Sequence, residues 1–118
     1  MTYFNGFKPE FWQFFDELKD NNNREWFTEN KPRYEADIVT PCLDFIVDMG
    51  ELLKEISPHY TAIPKKSGGS MFRIYRDARF SKNKNPYKEN AGIQFRHKLG
   101  KDAHAPGFYI NLKKDSIF

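Results

Sequence analysis

A chain of 118 residues with 30% charged side chains, a net charge of +3 and a single cysteine has room for one core and excludes a disulfide-stapled scaffold. Aromatics at 17%, with 12 Phe among them, supply the apolar mass for that core and exclude a disordered chain. No apolar run approaches the length of a membrane span, and the opening MTYFNGFKPEF lacks the basic and apolar regions of a signal peptide, so the cytoplasm is the expected compartment.

Phe11, Phe14, Phe15 and Leu18 recur at i, i+3, i+4 and i+7, the stripe of an amphipathic helix over Pro9 to Asp20. Pro9 suits its first turn, where an N–H has no helical partner anyway. The run DNNN stops it. Asn22 followed three residues later by Glu25 resembles a capping box and predicts a second short helix carrying Trp26 and Phe27, interrupted at NKP. From Tyr34 a helical period passes through Ile38, Cys42, Phe45, Met49, Leu52, Leu53 and Ile56. Pro41 inside that pattern predicts a break, with Thr40 capping the following segment, and Ser57-Pro58 ends the helical region.

SPHYTAIPKKSGGS reads as a connection, mobile near Gly68 and Gly69; it lacks the spacing of a P-loop. Beyond it the side chains alternate. Met71 to Arg76 reads as a strand with Phe72 and Ile74 on one face and Arg73 and Tyr75 on the other. Ala91, Ile93 and Phe95 alternate with Gly92, Gln94 and Arg96, and Phe108, Ile110 and Leu112 with Tyr109, Asn111 and Lys113. Helices followed by strands, rather than a βαβ alternation, predict an α+β fold in which N-terminal helices pack on a small, mainly antiparallel sheet. The whole of 1–118 reads as one such domain. So thin a sheet, ending at KKDSIF, calls for further sequence or a second copy of the chain to complete it.

Charge is concentrated in one place. From Arg73 to Lys98 stand eight basic residues against Asp77 and Glu89, a net of +6, which leaves −3 of the total +3 for the rest of the chain. Such asymmetry points to an anionic partner, a small molecule or a nucleic acid, while the lack of an apolar span is the reason no membrane is expected. Arg73, Arg76, Asp77, Arg79, Lys84, Tyr87 and Lys88 are the candidate ligand-binding residues. Arginine matches a phosphate or carboxylate with a planar fork of donors, lysine adds a movable point charge, and the tyrosines add apolar surfaces bearing hydroxyls. Asp77 is assigned to orienting Arg76 or Arg79, because flanking cations depress its pKa and weaken it as a base.

The competing reading is an interaction domain, its basic face docking an acidic protein or its arginines forming an internal charge network with Glu10, Glu25, Glu29, Glu35 or Asp37 of the helical half. His59, His97 and His104 lack metal-ligand spacing, Cys42 falls on an apolar stripe as a core residue, and Trp12, Trp26 and Phe27 read as core aromatics. No nucleophile and base pair stands out, so neither a reaction nor a cofactor is assigned.

The run Arg73-x-x-Arg76-Asp77-x-Arg79-Phe80, continued by Asn83-Lys84-x-x-Tyr87, together with the upstream NNNREWFTENKPRYE, resembles the family of conserved hypothetical proteins labelled domain of unknown function 2461. The resemblance spans nearly the whole chain. It implies no activity, since the family has none assigned, and it implies that this chain corresponds to the N-terminal half of a longer family domain.

Overall fold

The computed structural model describes residues 4–56, 59–67, 69–97, 107–113 and 116–117. Expectations that concern Gly68, His104 and Phe118 fall outside them.

Helix α1 spans Pro9–Asp20, with Pro9 in its first turn and Phe11, Phe14, Phe15 and Leu18 buried. Helix α2, Arg24–Arg33, is capped by Asn23, whose side chain accepts the Trp26 N–H at 2.8 Å. Asn22 is therefore not the cap; its side chain does something else, described below. Nor does NKP interrupt the helix. Pro32 lies within α2 on its exposed side, where water can take up the carbonyl that the missing N–H leaves unpaired.

The expected break at Pro41 is instead a π-helical turn, Tyr34–Val39, that leads directly into α3, Thr40–Ile56. Proline removes one donor and crowds the carbonyl four residues back, and at Pro41 the turn ahead of it widens to relieve that crowding. Here the Thr40 N–H reaches the Glu35 carbonyl five residues back, and Thr40 Oγ1 donates to the same oxygen at 3.0 Å. The wider turn absorbs the proline, and Ile38, Val39 and Cys42 stay buried across it. It also shifts the apolar register, so that Ile46, Gly50 and Leu53 face inward while Leu52 and Ile56 are exposed.

The sheet holds β1 (Tyr60–Thr61), β2 (Ala91–His97), β3 (Gly107–Lys113) and β4 (Ser116–Ile117), antiparallel in that order. Ala91, Ile93, Phe95 and Leu112 point into the core, where the Phe95 ring meets Phe45 of α3 with centroids 6.4 Å apart. The strand period of two therefore turns Gly92, Gln94 and Arg96 to the opposite face, beside Asn111 and Tyr109 across the ladder. Gly50 brings α3 against the residue that follows β1: a Cβ there would lie 2.6 Å from Ala62 Cβ.

Met71 to Arg76 is extended but is not a regular strand, because it changes partner midway. Its first half bridges β2 at Met71 and Ile93, with the Phe72 N–H donating to the Gly92 carbonyl at 2.9 Å. The chain then bends at Ile74, and its second half bridges Tyr75 to Tyr87, with Arg76 N–H on the Pro86 carbonyl and Lys88 N–H on that of Ile74. The expected faces change accordingly. Met71 and Ile74 are buried together, while Phe72 lies half-buried over the outer face of the sheet. Before this segment, Ser70 and Ile63 are tied together: the Ser70 N–H donates to the Ile63 carbonyl, and Ser70 Oγ accepts the Ile63 N–H, each at 2.8 Å.

Candidate functional site

The basic segment is a hairpin-like loop folded back on itself. Arg76 is its internal clamp: the guanidinium donates to the Asn83 carbonyl at 2.6 Å, the Asn85 carbonyl at 3.3 Å and Ser81 Oγ at 3.0 Å. Three of its five N–H groups are used in this way. Lys84 Nζ donates to the carbonyls of Ala78 and Arg79, closing the tip of the loop, and Lys88 Nζ donates to the Arg73 carbonyl at 2.9 Å.

Asp77 and Arg79 face each other across two hydrogen bonds of 3.0 and 2.9 Å in an exposed bidentate pair. The Arg79 side chain, and then its backbone N–H, hold the Asp77 carboxyl below its usual range, a poor setting for a general base. Among the described residues none of the segment's arginines pairs with a carboxylate of the helices, whose Glu17 and Glu35 bind Arg33 and Lys66 instead.

Tyr87 belongs to the core. Its ring stacks on Phe27 at 4.3 Å, and burial, with Tyr75 nearby, raises its pKa. Asn22 holds the backbone of that residue: its side-chain oxygen accepts the Tyr87 N–H at 3.1 Å, and its amide donates to the Tyr87 carbonyl at 2.9 Å and to Glu89 Oε2 at 3.0 Å. One amide thus hooks the basic loop to the α1–α2 junction across 65 positions of sequence. Sequence reasoning missed this role because local spacing offered Asn22 a nearer partner.

A cleft of about 630 Å³ opens on the far side of the segment from the helical core. Arg73, Arg76, Asp77 and Lys88 line it from the loop, Gln94 and Arg96 from the outer face of β2, and Ser70 and Phe72 from the approach to the loop. Two of its cations are backed by rings: Arg73 lies 5.1 Å from the centroid of Tyr75 and Lys88 5.5 Å from that of Phe72. Of the candidate residues, the fold brings Arg73, Arg76, Asp77 and Lys88 to this cleft, adds Arg96, and leaves Arg79 and Lys84 outside its lining. Arg96 contributed to the charge asymmetry, but only the β2 register shows that it faces the loop. A second cleft, of about 440 Å³, shares Arg76 and Lys88 from the other side of the loop.

Among the described residues no three His, Cys, Asp or Glu side chains come together as a metal site, and no helix is long and apolar enough to cross a membrane. Comparison with curated proteins and with solved structures gives no significant match. One family does match, that of conserved hypothetical proteins DUF2461, over residues 10–118, which include both the Asn22 hook and the whole basic loop. The chain belongs to that family.

Proposed function

We propose that the cleft on the outer face of β2 binds a phosphorylated or otherwise anionic ligand. The observation that carries this reading is its charge: Arg73, Arg76, Lys88 and Arg96 line one concavity against a single carboxylate, Asp77, which is itself neutralised by Arg79. Cations held against rings and carbonyls have already lost much of their freedom, so an arriving anion orders them at small entropic cost.

In this reading Arg73, Lys88 and Arg96 contact the ligand, and Arg76 offers its remaining N–H groups while its clamp fixes the loop. The Asp77–Arg79 pair sits at the rim, Lys84 closes the loop tip, and Tyr87 anchors the loop in the core. The arginines therefore serve loop architecture and ligand together.

The test is calorimetric titration with inorganic phosphate and ribose 5-phosphate at fixed ionic strength, using wild type, Arg73→Ala and Arg96→Ala. Each substitution is expected to weaken binding about tenfold or more, since a charge-assisted hydrogen bond contributes about 1.5–3 kcal/mol. Equal affinities in all three proteins, or no binding to wild type, would refute the proposal.

A further inference from the structure

Gly92 is the second residue of β2, inside the ladder with β3, where glycine weakens a strand and needs a reason. The reason is steric. A Cβ at Gly92 would lie 2.8 Å from Phe72 Cδ2 and 3.1 Å from the Tyr109 hydroxyl. Tyr109 is paired across the ladder with Gln94, two residues further along, yet its hydroxyl reaches Gly92. The ring must therefore lie along the sheet rather than stand on it, with one side against the sheet and Phe72, whose centroid is 5.6 Å away. Tyr109 nonetheless remains 51% exposed. The result is an open aromatic surface adjoining a cationic cleft, with Phe72 common to both.

We infer that the anionic ligand of this cleft is a nucleoside phosphate, its base stacked on Tyr109 and its phosphate held by Arg73, Lys88 and Arg96. The inference rests on the anion-binding reading above and adds the chemistry of the rest of the ligand. A base has a flat π-face that suits a ring lying open on a sheet, and stacking of this kind tolerates any base. Gln94, which lines the cleft and whose Oε1 accepts from Arg96 Nε at 3.3 Å, lies on β2 between Gly92, which the ring reaches, and Arg96, and offers an amide to a base edge. A free nucleotide and a residue of a single strand present the same chemistry; they differ in the number of phosphates that must be neutralised.

The experiment compares adenosine 5′-monophosphate, ribose 5-phosphate and a six-residue oligoadenylate by calorimetry, on wild type and Tyr109→Leu. The monophosphate is expected to bind wild type about tenfold more tightly than ribose 5-phosphate, and Tyr109→Leu to remove that difference while leaving ribose 5-phosphate affinity unchanged. A preference for the oligonucleotide that falls steeply with salt assigns the strand as the source; equal affinity per site assigns the free nucleotide. If ribose 5-phosphate binds as tightly as the nucleotide, the base inference is wrong and the anion site stands. If no phosphate binds wild type, both fail. The comparison on wild type decides the matter even if the variant proves unstable.

Discussion

Replacing Asn22 with alanine removes three hydrogen bonds that join the α1–α2 junction to the basic loop, two of them to the Tyr87 backbone. A hydrogen bond contributes about 1 kcal/mol net; with the two bonds to the Tyr87 backbone counted in full and the one to Glu89, whose carboxylate water can solvate instead, counted for less, the loss is about 2–3 kcal/mol. At about 2.1 cal/mol/K per residue over this chain the unfolding entropy is about 0.25 kcal/mol/K, which converts the loss to a drop in Tm of about 8–12 °C. Urea titration with matched thermal scans measures it, and hydrogen exchange at the Tyr87 amide reports the site directly. The amide should exchange faster in the variant by more than amides in α1. Since Arg76 and Lys88 are carried by the same loop, anion affinity should fall as well. A stability loss below about 0.5 kcal/mol, or unchanged exchange at Tyr87, would show that the hook does not hold the loop and would refute the reasoning.

Arg79→Ala should leave the urea midpoint at its wild-type value, because its pair with Asp77 is local and exposed; a large drop in that midpoint would revive an internal charge network. Gly50→Ala sets a methyl group 2.6 Å from Ala62 Cβ, so its gain in helix propensity is outweighed and urea unfolding should show a net loss of about 1–3 kcal/mol. Burial pushes the Cys42 thiol from 9.0 up to about 12. Because the folded pKa is the higher one, this contribution to stability is intact below pH 9.0 and is lost as pH rises from there to about 12. Tyr34, raised mainly by burial, acts in the same direction. At pH 8 a thiol reagent should label Cys42 only as fast as the protein opens; labelling as rapid as in urea would contradict its burial.

The sequence by itself determined what depends on neighbours along the chain. The Phe11, Phe14, Phe15, Leu18 stripe and Pro9 set the limits of α1, and the alternation in β2 and β3 set which side chains enter the core. An amphipathic segment has one low-energy way to hide its apolar face, so periodicity suffices there. It also showed where positive charge collects. The tertiary structure decided everything that turns on a choice between partners. Asn22 could cap a helix or grip Tyr87, and the contact across the fold prevailed because the adjacent Asn23 was free to serve as cap. Pro41 could break the helix or widen it, and the buried residues on both sides favoured a π turn. Arg73, Lys88 and Arg96 converge only because the chain bends at Ile74 and the loop returns beside β2, and Tyr109 comes against Phe72 only through a register that seats it opposite Gln94. Such juxtapositions join residues far apart in sequence, whose closeness is set by the packing of the whole core rather than by any local pattern.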